Sequence, residues 1–214
     1  MEAYQTVVTF FQTGGLFMYP IVVVLALGIA IAAERYIYLS RSRSTNRKLW
    51  ITLQPILRKG DLNRAKTLLS ESKSAIGKIL HYGLSRSSTG RRRDDINTAM
   101  EEGLMEVIPH LEKRTHYLAT FANIATLLGL LGTIIGLIQA FTAVAGANPA
   151  EKADMLSASI SVAMNTTAFG LIVSIPLLLI HAILQTKTVE IVDSLEMASM
   201  KFLNMVSEQT ESAR

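Results

Sequence analysis

Between Leu118 and Ala145 the chain carries no charged residue, yet it keeps Asn123, Thr126, Gly129, Gly132, Thr133, Gly136 and Gln139. A bilayer crossing needs about 20 residues of predominantly apolar helix, so this stretch is long enough to span. A helix that faces only lipid tails has no use for an amide, several hydroxyls and a file of glycines. Such groups need a protein neighbour or water. The stretch is therefore expected to line a shared intramembrane cavity, with the rest of the chain holding it there.

Two further windows meet the spanning criterion, roughly Leu16 to Leu39 and Leu156 to Gln185. Half of the 214 residues are hydrophobic and the mean hydropathy is +0.33, too apolar for an ordinary soluble domain. The expected fold is an all-α integral membrane protein with three transmembrane helices. The second and third extend into the cytoplasm, and small helices fill the long cytoplasmic loop. In order, residues 1–15 read as an outer interfacial amphipathic segment, 16–39 as the first transmembrane helix and 40–117 as the cytoplasmic helical loop. Residues 118–145 form the second span, 146–155 a short periplasmic loop, 156–185 the third span and 186–214 a cytoplasmic helical tail. Cysteine is absent, which excludes disulfides and thiolate metal sites. Met1 to Gly15 has no basic residue and no A-x-A-like site follows the first apolar run, so no cleaved signal is expected.

Charge placement sets the orientation. Sixteen of the 21 Lys and Arg lie between Arg41 and Arg114, whereas the Ala143 to Ser157 connection has only Lys152. By the positive-inside rule the middle segment is cytoplasmic, the amino terminus is outside and the carboxyl terminus inside. The Arg91, Arg92, Arg93 run lacks the aromatic interleaving of a nucleic-acid site and reads as a topology determinant or a contact to anionic headgroups.

Local patterns fill in the loop. Glu2 to Gln12 suits a short interfacial helix. Pro20 falls in the first turn of the first span, and Glu34, Arg35, Tyr36 and Tyr38 close that span as an interfacial anchor with snorkelling side chains. Leu49, Trp50, Leu53, Ile56 and Leu57 repeat at helical spacing until Gly60. Asp61 is an N-cap for a helix carrying Leu62, Ala65, Leu68 and Leu69. Another helix carries Ala75, Ile76, Ile79, Leu80 and Leu84. From Asp94 the pattern Ile96, Met100, Leu104, Val107, Leu111 predicts one long helix running unbroken into Leu118, with Pro109 as a kink. After the third span the stripe Ile191, Leu195, Ala198, Phe202, Val206 continues that helix almost to the end.

Ser159, Ala163, Thr167, Gly170 and Ser174 fall at steps of four, four, three and four, so they share one helix face. Gly129, Gly132, Gly136 and their small neighbours do the same in the second span. The glycines, with Gly170, are read as close-packing contacts. For Thr133 and Thr167 two readings stand: the hydroxyl bonds back to its own helix, or it lines a wet path. Asn165 stands between an interhelical hydrogen bond and a part in proton movement. Pro176 is a helix kink that opens the helix and frees a carbonyl. His181 suits proton shuttling by its reference pKa but lies far along the helix from Thr167. His81, His110 and His116 lack metal-ligand partners at suitable spacing. No Asp, Glu, Lys or Arg lies in the second or third span, and threonine does not titrate near neutral pH, so if protons cross, the switching group must come from another chain. With no nucleophile–base pair, metal cluster or phosphate loop, an enzyme is not expected.

The segments Leu111-Glu-Lys, Leu118-Ala-Thr-Phe-Ala-Asn and Leu128-Gly-Leu-Leu-Gly-Thr-Ile-Ile-Gly-Leu-Ile resemble the second span of the MotA/TolQ/ExbB proton-channel family. Thr166-Thr-Ala-Phe-Gly-Leu-Ile-Val-Ser-Ile-Pro176 resembles its third, and Gly14-Gly-Leu-Phe-Met-Tyr-Pro20 and Gly60-Asp-Leu with Ala65 also fit. Three spans with the large loop after the first are similar to the ExbB and TolQ branch. The resemblance implies a self-associated ring, a pentamer, in a bacterial inner membrane. Its pore would hold single-span ExbD- or TolR-like subunits that supply an intramembrane Asp, with a TonB- or TolA-like protein beyond them. Proton flow would drive the partner and deliver work to the outer membrane, for biopolymer or nutrient transport. The resemblance places the pore threonines at Thr133 and Thr167. A TolQ-like envelope-maintenance motor and a non-conducting scaffold that assembles partner helices are the alternatives. No cofactor is implied beyond the translocated H⁺ and a bound phospholipid, and no nucleic acid. Two positions depart from the pattern: Val162 stands where many relatives have glutamate, and Ala125-Thr126 where Ala-Pro is common.

Overall fold

A computed structural model describes residues 14–87, 92–146 and 148–212, with side chains as far as Ser207. The interfacial helix expected over Glu2 to Gln12, and Arg91 of the basic run, lie outside the described residues. Six α-helices and no strands occur among the described residues: α1 Met18–Arg58, α2 Leu62–Glu71, α3 Ala75–Ser87, α4 Arg93–Glu112, α5 Thr115–Ala145 and α6 Lys152–Ser212. Three of them, α1, α5 and α6, are long and apolar enough to cross a membrane. A bilayer crossing uses about 20 residues of helix, so the 61 residues of α6 are far more than one span requires.

The sequence punctuates these helices by identifiable chemistry. Pro20 occupies the first turn of α1, where its missing N–H has no intrahelical acceptor to lose. At the other end of α1, Gly60 adopts φ +74° and the Asp61 N–H donates to the Ile56 carbonyl at 3.3 Å, a left-handed cap that only glycine adopts cheaply. Asp61 then caps α2, its carboxylate accepting from the Arg64 N–H at 3.0 Å. The buried start of α3 is satisfied by the Ser74 hydroxyl, which accepts from the Gly77 N–H at 3.1 Å. The Asn46 amide oxygen of α1 accepts from the Ile76 N–H at 3.3 Å.

The helix that contains the 156–185 window begins at Lys152 and runs through Pro176 without interruption. One expectation about helix limits changes. The helix from Asp94 does not continue into Leu118. It ends at Glu112, and Arg114 sits in the left-handed region at φ +66° before α5 begins at Thr115. The cause is a competing donor. In an unbroken helix the His110 and Leu111 carbonyls would accept from residues 114 and 115; here the Arg35 guanidinium donates to both, at 3.4 Å for His110 and closer still for Leu111. Arg35 is therefore buried at 2% exposure and stacks 4.6 Å over the Tyr38 ring, instead of snorkelling to an interface.

The chain divides into two compact units, residues 1–33 with 114–183, and residues 34–113 with 184–214. In the first, the small-residue positions Ala122, Ala125, Gly129, Gly132, Ala163 and Gly170 are buried. Leu127, Ile134, Ile138, Phe141, Ile172 and Leu179 are exposed around them. Large apolar side chains outside and small ones inside suit lipid as the surrounding solvent. In the second unit the order is that of a water-soluble bundle: Leu53, Leu57, Ile79, Leu80 and Phe202 are fully buried. Burial of each such side chain stabilises by about 1.5–3 kcal/mol.

Candidate functional site

The first unit holds the candidate site along the seam where α5 meets α6. Glycine spacing on α5 lets the two backbones close. A methyl group placed on Gly129 would stand 3.2 Å from the Thr167 Cα and 3.3 Å from the Gly170 Cα. On Gly136 it would meet the Ala163 Cβ at 2.8 Å, and on Gly170 the Ala125 carbonyl oxygen at 2.7 Å. On Gly132 it would overlap the Thr166 side chain. All four glycines thus sit where a neighbouring helix occupies the space of a side chain, the arrangement of close helix crossings in lipid.

Thr167 uses this proximity. Its hydroxyl donates to the Gly129 carbonyl of α5 at 2.7 Å, a bond between residues 38 apart in sequence. Thr133 does not reach α6 in this way: its hydroxyl donates to the Leu130 carbonyl of its own helix at 2.6 Å. Both threonines remain partly exposed. Each has spent its single donor on a backbone carbonyl, so the oxygen that faces outward can only accept. Asn165 is half-buried on α6. Two residues along a helix is a turn of about 200°, which puts Asn165 and Thr167 on nearly opposite faces. Pro176 lies within α6, exposed, and leaves the Ile172 carbonyl without its N–H partner one turn on.

Thr166 is the residue that the sequence reading missed. It is 2% exposed, and its one hydroxyl proton lies within reach of two carbonyls, that of Gly14 at 2.5 Å and that of Val162 at 3.0 Å; donated to the nearer, it ties the segment before α1 to α6. The signal was present: Ala163, Thr166, Gly170 and Ser174 follow steps of three, four and four. The chosen stripe ran through Thr167 instead. Both adjacent threonines matter, one inside the seam and one at its edge.

No group of three or more His, Asp or Glu residues arranged to hold a metal ion occurs among the described residues. The chemistry available at the seam is therefore hydrogen bonding by neutral hydroxyls in a segment without a titratable side chain, save for His181, half-buried near the end of the apolar stretch.

Comparison with known proteins gives one family match and several relatives. Residues 71–197 match the model of the MotA/TolQ/ExbB proton channel family, more than half of the chain. A biopolymer transport protein ExbB homolog of Methanothermobacter thermautotrophicus is 27% identical over 196 residues, covering 91% of this chain and 68% of that protein. The biopolymer transport protein exbB1 of Vibrio cholerae is 28% identical over 168 residues, 77% of this chain and 73% of the relative. The Tol-Pal system protein TolQ of Haemophilus influenzae is 38% identical over 78 residues, 36% and 34% of the two chains.

Proposed function

The chain belongs to the MotA/TolQ/ExbB proton channel family, as a multi-pass membrane protein of its ExbB/TolQ branch, and from that premise we propose that it is the ring-forming subunit of a proton-driven motor. In this reading copies of the chain, five in the ring, surround single-span ExbD- or TolR-like helices in the inner membrane. The amino terminus is periplasmic and the carboxyl terminus cytoplasmic. Proton flow is coupled through the partner, and a TonB- or TolA-like protein beyond it, to biopolymer transport across the envelope. The chain contributes no catalysis.

The observation that carries the reading is the state of the two hydroxyls. Thr133 and Thr167 each commit their donor to a backbone carbonyl, on helices that carry no Asp, Glu, Lys or Arg between 118 and 145 or between 156 and 185. An oxygen that can only accept hydrogen bonds stabilises a protonated carboxyl, which donates, and offers nothing to a carboxylate. A partner Asp brought to this level would also be held neutral by desolvation. Both effects push its pKa up, so it takes a proton here and gives it up once it moves to where water or donors reach it. The chain supplies the acceptors and the dry seam; the partner supplies the acid.

The test is co-reconstitution with the single-span partner in liposomes, with proton flux and partner-dependent transduction followed for Thr133→Val, Thr167→Val and the double variant. The ring alone should leak little, and the valine variants should assemble yet lose flux. Full activity in the double variant would defeat the role given to the hydroxyls. Loss of the assembly itself would favour a scaffold whose small-residue faces only pack helices.

A further inference from the structure

The seam between α5 and α6 has two edges, and they differ. At about 100° per residue, Ala125 and Gly132 lie about 40° and 60° to one side of Gly129, whereas Thr133 and Thr126 lie about 40° and 60° to the other. On α6, which runs antiparallel, Thr166 falls on the first edge and Thr167 on the second, about 40° and 60° either side of Gly170. The first edge is closed. A methyl group on Gly132 would meet the Thr166 side chain and stand 3.5 Å from the Phe17 Cβ, so Phe17, at the start of the first span, covers it. The second edge is open, with Thr126, Thr133 and Thr167 partly exposed along it. Thr126 stands where Ala-Pro is common in the family, so this chain has a hydroxyl at a position where the common pattern has none.

The Thr126 hydroxyl donates to the Ala122 carbonyl of its own helix at 3.1 Å. Like Thr133 and Thr167, it keeps only lone pairs for whatever lies outside the seam. Back-bonding alone marks no site, since exposed Thr120 and Thr142 do the same towards His116 and Ile138. Those two lie about 180° and 140° round the helix from Gly129, on the side turned away from α6. Depth separates the three hydroxyls of the open edge. Thr133 and Thr167 donate to the carbonyls of Leu130 and Gly129, which are adjacent, so their hydroxyls share one level. Thr126 lies seven residues before Thr133, about 10 Å nearer the start of α5. A carboxyl with one or two waters spans that gap at hydrogen-bond distances of about 2.8 Å.

In the proton-motor reading, on which the role of Thr126 rests, α5 starts at the cytoplasmic end. We propose that Thr126 is a positioning residue for proton release, orienting the water that takes the proton from the partner's acid once the acid leaves Thr133 and Thr167. A water that donates one O–H to the Thr126 oxygen turns its own lone pairs back towards the acid. The carboxyl O–H bond breaks, the proton joins the oxygen of that water as hydronium, and the carboxylate stays with the partner. The Thr126 oxygen accepts from the hydronium, which passes its extra proton to water at the cytoplasmic end.

The full-length protein is co-reconstituted in liposomes with its single-span partner, and proton flux is followed with a pH-sensitive dye while the pH on the amino-terminal side is varied. No Asp, Glu, Lys or Arg lies at 14–33, 118–145 or 156–185, and His181 is about 21 Å along α6 from Thr167, so the midpoint of flux against pH reports the partner's acid. Thr126→Val should lower the maximal flux about tenfold, as for one lost hydrogen bond, and leave the midpoint in place. Thr133→Val and Thr167→Val weaken proton uptake instead and should move the midpoint to lower pH. Thr126→Ala removes the hydroxyl without added bulk and should lose as much flux as Thr126→Val. Thr126→Ser should restore it, and Thr120→Val, on the opposite face, should conduct like the parent. Parental flux in Thr126→Val and Thr126→Ala, a midpoint displaced as in Thr133→Val, no rescue by serine, or an equal loss in Thr120→Val overturns the role of Thr126. If Thr133→Val and Thr167→Val still lose flux, the motor reading survives that result. Parental flux in all of these variants removes the motor reading and the role of Thr126 together.

Discussion

The Thr167 hydroxyl donates across the helix seam to the carbonyl oxygen of Gly129, 2.7 Å away. One bond thereby joins two residues of different predicted roles, a pore hydroxyl and a packing glycine, and the two roles separate by substitution. Interhelical hydrogen bonds in membranes contribute about 0.6 kcal/mol on average, so Thr167→Val should barely disturb assembly. At the acid-binding step, the loss of one hydrogen bond of about 1.4 kcal/mol corresponds to about tenfold in rate. Thr167→Ser keeps the hydroxyl and should keep both properties. Ring assembly by size-exclusion chromatography, with flux measured on the same preparation, distinguishes the outcomes. A Thr167→Val protein that conducts normally removes the hydroxyl from the mechanism.

The glycines rank by what a methyl group would strike. At Gly170 it meets only the backbone of α5, the Ala125 carbonyl oxygen at 2.7 Å and the Gly129 Cα at 3.1 Å, and backbone cannot step aside. At Gly28 the nearest atom is the tip of Leu177 at 2.7 Å, which can change rotamer. Gly170→Ala should cost about 1–3 kcal/mol as overpacking, and Gly28→Ala distinctly less. Thermal unfolding in a fixed detergent compares them; equal melting temperatures would show that the seam is looser than drawn.

What could be read in the sequence was whatever depends on a few adjacent residues. Asp61 after Gly60 announces a helix stop and a new cap. The small residues of the second and third spans announce a close crossing. Long-range donors leave no such mark. Arg35 at the end of an apolar run looks like any interfacial anchor, because its acceptors, His110 and Leu111, lie 75 and 76 residues away. For the same reason the break at Arg114 was invisible: the periodicity from Ile96 to Leu111 continues in phase with the apolar residues beyond it. Thr166 and Thr167 are neighbours of the same type, and only the position of Gly14 tells which one is buried.

Alkaline pH tests a contact in the second unit. The Tyr82 hydroxyl donates to Glu106 Oε2 at 3.0 Å. That bond, then the charge of Glu106, then slight desolvation and last the charge of Glu102, raise the phenol pKa above its ordinary value of 10.0. In the unfolded chain the phenol ionises first, so the contribution is whole below the ordinary value and is lost as pH rises through the raised one. Stability of Tyr82→Phe should therefore fall less steeply with pH above that value than that of the parent. The phenolate absorbance lost with Tyr82→Phe should titrate late, and earlier in a Glu106→Gln background. An unshifted titration in the parent protein rules the contact out.

Arg35 offers the sharpest contrast between two arginines on one helix. Its guanidinium donates to the terminal carbonyls of α4 from a site only 2% exposed, whereas Arg43 forms an ion pair with side-chain exposures of 64% and 50%. A hydrogen bond from a charged group contributes about 1.5–3 kcal/mol, and its removal here strands acceptors that no water replaces easily. An exposed ion pair contributes about 0–1 kcal/mol. Arg35→Met, which keeps the apolar stem, should therefore lower the melting temperature well beyond Arg43→Met. Arg35→Lys should recover only part, since one ammonium cannot reproduce the planar fork. A local signature accompanies the global one. The Lys113 N–H donates to the Pro109 carbonyl at 3.0 Å, in the turn that Arg35 stabilises, so its hydrogen exchange should accelerate in Arg35→Met before the rest of α4 responds. Unchanged exchange at Lys113 would mean that the turn holds itself and that Arg35 fills space without capping it.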